Sequence, residues 1–497
     1  MRRRRLRFRF PLALALVPLL PALAAGPAAG QVGTQAPAAA PDTVRLTAAG
    51  LRAPVEIVTD RWGIPHIYAE NEADLFFAQG YNAARDRLFQ FEMWRRQATG
   101  TVAEILGSRE LERDIGTRLF RFRGDLTEEL NHYHPRGEEI ITSFVRGVNA
   151  YIVETERDPS LLTPEFGLLG ITPGRWTPDV VISRHQGLLG NIGAELANGR
   201  AVAKLGPERV LALSNFGPGT PDLALDAAID GELLFADILG RYNAFRRGIR
   251  FRPEDVVAAW PGEPAAALAR ANAEAEELAA WRERRDIGSN NWVVSGRLTE
   301  SGHPIMANDP HRALAAPSLR YWAHLVAPGW NVIGGGEPVL PGISIGHNGY
   351  GAWGLTVFAT DGEDLYVYET DPSDPNRYRY DGGWEDMRVI RETIPVEGRE
   401  PVTAELKYTR HGPVVYEDGE NDVAYAIRAA WMEVGGAPYL ASLRMDQARS
   451  WEEFRDACSY SHIPGENMVW IDRDGNIGWQ AVAIAPIRRT WSGLVPV

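Results

Sequence analysis

The residue pair in this sequence best suited to chemistry is Gly288-Ser289, within Asp286-Ile287-Gly288-Ser289-Asn290-Asn291-Trp292-Val293-Val294. A serine preceded by the smallest residue suits cleavage of its own peptide bond. Gly288 tolerates the backbone conformation that exposes its carbonyl, Ser289 Oγ attacks that carbonyl, and chain scission leaves Ser289 with a free amine. Nucleophile and base then sit on one residue. A second serine has the spacing of a nucleophile elbow, Gly342-Ile343-Ser344-Ile345-Gly346, with Gly334-Gly335-Gly336 ahead of it. An elbow needs a strand before it and a helix after it. Here Pro341 precedes it and a Gly/Asn-rich turn follows, so Ser344 is set aside. The only lysines are Lys204 and Lys407, which leaves no Ser-Lys pair near the junction.

Several elements must position Ser289. Asn291 to Gly296 and His303 to Asp309 read as two strands joined by the turn Thr299-Glu300-Ser301-Gly302. Upstream, Val55 to Ala69 alternates around Arg61-Trp62-Gly63 as a hairpin, and Glu70 to Thr99 has helical periodicity. Thr177-Pro178-Asp179 is a helix start, so Asp179 to Ala197 is expected to be helical. Prolines at 253, 261 and 264 then introduce an Ala/Glu/Arg-rich run, Ala265 to Arg285, that reads as a dispensable helical spacer. His66 reads as structural. His132 and His134 lack a third ligand and read as a surface loop. Asp472-Arg473-Asp474-Gly475-Asn476 reads as a tight hairpin turn.

With 497 residues, 45% of them hydrophobic, the chain can bury a sizeable core. Six arginines between Arg2 and Arg9, the apolar run Pro11 to Leu23 and the small-residue site Ala22-Leu23-Ala24 form a secretory signal peptide over residues 1–24. A flexible leader over 25–48 follows. The net charge of −13 argues against nucleic acid. Cys458, the single cysteine, allows no internal disulfide, and export without disulfides suits the periplasm.

The words around the junction carry a resemblance. Gly288-Ser289-Asn290-Asn291-Trp292-Val293-Val294 followed by Gly302-His303-Pro304-Ile305-Met306-Ala307-Asn308-Asp309-Pro310-His311 resembles the start of the catalytic β chain in the penicillin acylase family of N-terminal nucleophile (Ntn) hydrolases. Asp60-Arg61-Trp62-Gly63-Ile64-Pro65-His66-Ile67 and Gly80-Tyr81-Asn82-Ala83-Ala84-Arg85-Asp86-Arg87-Leu88-Phe89-Gln90 resemble the opening of its α chain. The resemblance implies an α+β fold, an Ntn αββα sandwich with a largely helical α-chain part. It implies an α-chain region over 49–253, a spacer over 254–288 and an incomplete β chain from 289 to 497, with the α and β chains forming a heterodimer. Ser289 is then the nucleophile, His311 orients its amine, and the main-chain N–H of Val357 stabilises the oxyanion. One structural calcium is implied, held by Glu195, Asp361, Asp364 and the carbonyl of Glu363. The implied activity is hydrolysis of the side-chain amide of N-acylated small molecules. Penicillins, N-acyl-homoserine lactones and lipopeptides are all substrates within the family, and an inactive truncated member is the remaining alternative. Family chains continue past the position of Val497, where a second oxyanion donor, an asparagine, and a further calcium aspartate are expected. Without those strands, sheet edges and apolar faces are expected to lie open.

Overall fold

Strand alternation builds an eight-stranded sheet, described in a computed structural model covering residues 47–185, 190–217, 219–258, 266–274, 289–311 and 316–497. Its order is Val55–Thr59, Pro65–Ala69, Tyr321–Ala327, Trp330–Gly336, Ile345–His347, Gly351–Val357, Glu466–Asp472 and Ile477–Val482. Every pairing is antiparallel except that of Pro65–Ala69 with Tyr321–Ala327, where His66 lies opposite His324. Alternation gives each strand two faces. Ile67, Leu325, Val332, Trp353, Leu355, Met468 and Trp470 turn to one face and join a core with the helices Glu72–Thr99 and Gly137–Arg157.

The long helix starts where the sequence places it. Asn71 caps it by accepting from the Asp74 N–H, and Asp74 in turn accepts from the N–H groups of Arg52 and Ala53. Its path bends at Arg87, whose φ of −139° is not helical, and it ends at Gly100. The expected hairpin at Arg61-Trp62-Gly63 is present, with Val55 opposite Ala69.

A second core joins the helices Leu111–Leu119, Ile192–Leu205 and Gly240–Arg246 to a five-stranded sheet. The order of that sheet is Gly383–Asp386, Asp374–Tyr380, Glu363–Asp371, Val423–Ala429, Val414–Asp418. Arg388–Val396 and Arg399–Tyr408 form a separate antiparallel ribbon against it. The molecule is thus a mixed α+β fold with its helices concentrated in the N-terminal half.

Two expectations need correction. The helix foreseen over Asp179 to Ala197 is broken: Pro178–Val181 forms one turn, residues 182–185 are not helical, and the next helix among the described residues is Ile192–Leu205. Arg184 supplies the cause. Its guanidinium donates to the carbonyls of Ile182, Trp431 and Glu433 and pairs with buried Glu129 at 2.8 Å, which fixes this stretch off the helical path. His134 is also no surface residue. It is 4% exposed, with Nε2 on Gln447 Oε1 and Nδ1 accepting from Arg136 N–H.

Of the spacer expected over 254–288, residues 266–274 are helical, while 259–265 and 275–288, including Gly288, lie outside the described residues, as do the expected signal peptide over 1–24 and the leader as far as residue 46. The turn at Asp472 to Asn476 is as expected, with Asp472 Oδ1 accepting from the N–H groups of Asp474 and Asn476.

Candidate active site

Ser289 stands one residue ahead of the strand Asn290–Val294, which pairs antiparallel with Ile305–Asp309 in the register Asn290 opposite Asp309. The two-residue-period pattern of Asn-Asn-Trp-Val-Val and Ile-Met-Ala-Asn-Asp makes this hairpin, and its pairing brings His311 back beside Ser289. The contact is through the main chain: His311 N–H donates to Ser289 Oγ at 3.1 Å. That bond uses an oxygen lone pair and leaves the hydroxyl proton available to a base. The imidazole itself faces Asp309, with Nε2 3.1 Å from Oδ2, and lies 3.5 Å from Asn290 Nδ2.

The hairpin forms its own two-stranded sheet and lies on the face of the eight-stranded sheet opposite the helices. Two asparagines attach it. Asn308 Oδ1 accepts from Leu355 N–H at 3.0 Å, while its Nδ2 donates to Leu355 O at 2.9 Å and to Asn290 O at 3.4 Å. Asn308 therefore occupies the place of a neighbouring strand for one residue of Gly351–Val357. Gly354 makes room for it, because a Cβ there would lie 2.9 Å from Asn308 Cγ. Asn291 Nδ2 donates to Asn467 O at 3.1 Å, and Asn467 Nδ2 donates to Thr356 O at 3.4 Å.

These bonds orient the strand carrying Val357. Successive N–H groups of a strand point to opposite sides. Phe358 N–H donates to Gly465 O, toward the strand Glu466–Asp472, whereas Leu355 N–H meets Asn308 on the hairpin side. Val357 N–H, two residues from Leu355, points to the hairpin side, and Val357 is 41% exposed. The hairpin thus faces a strand end with an outward N–H, the arrangement an oxyanion donor needs. Apolar residues around the hairpin are also open to solvent, Trp292, Ile305 and Trp479 among them.

Ser344 is placed quite differently. It is buried, it leads into the short strand Ile345–His347, and the next element is the strand Gly351–Val357. No helix follows it, so the elbow geometry is absent. A cavity of about 290 Å³ lies in the helical half, lined by Thr117, Phe120, Arg121, Ser183, His185 and Phe245 among others. None of its lining residues belongs to the hairpin.

The acidic residues form a second centre. Asn191, just ahead of the helix Ile192–Leu205, accepts from the N–H groups of Gly362 and Glu363 and donates to Asp361 Oδ1 and to the Glu363 carbonyl. The Glu363 side chain accepts from the N–H groups of Asn191 and Ile192, at the positive end of that helix. Tyr242 and Trp431 also donate to it. Glu195 is 2% exposed; its Oε1 accepts from Leu365 N–H and its Oε2 has no hydrogen-bond partner. Burial pushes its carboxyl up to about 9, and the charges of Asp364 and Asp361 add to this. Burial also raises Asp361 to about 6, against the pull of Arg488.

Three carboxylates and a main-chain carbonyl are the oxygen donors calcium takes, and the partnerless buried Glu195 Oε2 fits a cation. Among the described residues, however, no group of three or more His, Cys, Asp and Glu converges on one point as they lie. Arg488 stands between Asp361 and Asp364. Sequence reasoning gave Asn191, Asn308 and Arg488 no role, since their partners are distant in the chain.

A serine heading a hairpin beside a strand with an outward N–H is an arrangement that suits an Ntn hydrolase. The chain matches the model of the family described as penicillin amidase over residues 54–497, and it belongs to that family. It is 31% identical over 456 residues to the penicillin acylase 2 proenzyme of Pseudomonas sp. (strain SE83), covering 91% of this chain and 55% of the relative. Against the penicillin G acylase of Escherichia coli the identity is 28% over 484 residues, covering 89% and 57%. Against the acyl-homoserine lactone acylase QuiP of Pseudomonas aeruginosa it is 28% over 467 residues, covering 90% and 51%. The chain spans about half the length of these curated relatives.

Proposed function

We propose that this chain belongs to an exported, periplasmic amidohydrolase precursor that cuts itself at Gly288-Ser289. The mature enzyme then hydrolyses the side-chain amide of N-acylated small molecules. The observation that carries the reading is Ser289 at the head of the hairpin, its Oγ held by His311 N–H at 3.1 Å, on a sheet whose adjoining strand ends at Val357.

In the cut protein, Ser289 Oγ attacks the amide carbon while its proton passes to the Ser289 amine, directly or through one water. Val357 N–H donates to the developing oxyanion. Collapse breaks the C–N bond, the proton moves to the leaving nitrogen, and an acyl-serine ester remains. Water then attacks that ester by the same proton route and releases the carboxylic acid. His311 orients the amine through its position beside Ser289. The α and β chains stay associated as a heterodimer. The Glu195, Asp361 and Asp364 side chains and the Glu363 carbonyl would hold a calcium ion, which would join the helix Ile192–Leu205 to the strand Glu363–Asp371 away from the chemistry.

The QuiP relatives favour a second reading for the acyl substrate, an N-acyl-homoserine lactone. Assaying the protein, expressed from its natural reading frame, with a chromogenic phenylacetyl anilide and with an N-acyl-homoserine lactone tests both. Hydrolysis of at least one is expected, with a rate that falls with acidity below about 7.7 to 8.0, where an α-amine becomes protonated. A rate independent of pH between about 6 and 9 would contradict the amine as base.

A further inference from the structure

We propose that Arg488 is the resident cation of the acidic cluster, and that a divalent ion enters only by displacing its guanidinium. The inference rests on the calcium reading of these carboxylates and concerns what sets the affinity. Arg488 Nε donates to Asp364 Oδ1 at 2.7 Å, and Nη2 donates to Asp361 Oδ1 at 2.9 Å and to the Asp361 carbonyl at 3.3 Å. One planar fork therefore occupies oxygens of both aspartates, a geometry that guanidinium provides and ammonium does not.

The pairing is enclosed on the Asp364 side and open on the other: the Arg488 side chain is 12% exposed, that of Asp364 3% and that of Asp361 36%. Among the described residues, no other cation forms an ion pair with Asp361 or Asp364. Trp491 Nε1 adds a longer bond to Asp364 Oδ1 at 3.4 Å. Behind them Glu195 Oε2 is buried without a partner, and Glu195 is electrostatically coupled to both aspartates and to Arg488.

Burying the Asp364 carboxylate beside that of Asp361 is costly unless a positive charge joins them. Arg488 meets that need without a metal. The segment carrying it is anchored beyond the cluster by Val497, which exchanges hydrogen bonds with Leu365 and Val367 at 2.9 and 2.7 Å. Its neighbour Ile487 is 92% exposed, so the segment runs at the surface. A calcium ion and the guanidinium need the same oxygens, so their binding is mutually exclusive, and each weakens the other.

The test is a calcium titration by calorimetry on chelator-treated protein, with melting temperature read with and without calcium, for wild type, Arg488→Gln, Arg488→Lys and Glu195→Gln. Wild type is expected to melt at nearly the same temperature in chelator and in calcium. Arg488→Gln should melt lower in chelator, recover in calcium, and bind calcium at least tenfold more tightly than wild type. Arg488→Lys, which keeps the charge and loses the fork, should fall between them, and it stands in if the glutamine variant does not fold. Glu195→Gln should bind calcium more weakly than wild type. Equal or weaker calcium binding in Arg488→Gln than in wild type, with Glu195→Gln still lowering it, would overturn the role of Arg488 while leaving the calcium reading intact. No calcium binding in any variant would overturn both.

Discussion

Ser289→Ala is expected to leave the precursor uncut and to lower amide hydrolysis by at least about 10³-fold, as loss of a nucleophile does elsewhere. In the proposed scheme both steps need the same oxygen: Oγ first attacks the Gly288 carbonyl and later the substrate carbonyl. His311 N–H, 3.1 Å away, holds that oxygen in place for both. Ser344→Ala is the internal control, since Ser344 is buried ahead of a strand and has no part in this scheme. Denaturing electrophoresis and an anilide assay read both effects. Normal cutting and turnover in Ser289→Ala, or their loss in Ser344→Ala, would move the nucleophile elsewhere.

Asn308→Ala is expected to be the most damaging change outside the nucleophile itself. Among the described residues, it removes the only side chain that bonds both the N–H and the carbonyl of Leu355, two residues before Val357. Each backbone group left unsatisfied costs about 1–3 kcal/mol. The larger effect is geometric, because the hairpin carrying Ser289 and the strand carrying Val357 lose their common fixture. A displacement of about 1 Å between reacting groups costs roughly a hundredfold in rate. Asn308→Asp should do nearly the same damage, since it keeps the acceptor for Leu355 N–H and sets an anion against Leu355 O. The expected pattern is slower cutting, turnover reduced about a hundredfold and a largely retained KM, because binding determinants away from the hairpin are untouched. Unchanged turnover in both variants would show that the hairpin is positioned by its other contacts.

What could be read from the sequence follows the range of the interactions. The nucleophile hairpin was legible because its alternation and its turn are local, and so was the helix capped at Asn71. The helix expected over Asp179 to Ala197 failed because the bonds that break it come from Trp431, Glu433 and Glu129, far away in the chain. His311 shows a middle case. Its nearness to Ser289 was foreseen, but the contact is made by its main-chain N–H, and a residue type cannot reveal that. Asp361 to Asp364 stood out as acidic, yet Arg488 joins them from more than a hundred residues on and looked like one arginine among many. Asn308, which binds the hairpin to the sheet, lies within the local hairpin motif, but its bonds to Leu355 are a tertiary property.

The account turns on whether Ser289 becomes an N-terminus. Expressing the protein from its natural reading frame, separating its chains and determining their N-terminal sequences and intact masses tests this directly. The account predicts one chain that begins Ser289-Asn290-Asn291-Trp292, accompanied by a chain from the region before the spacer. A single uncut chain that hydrolyses amides at full rate would contradict it.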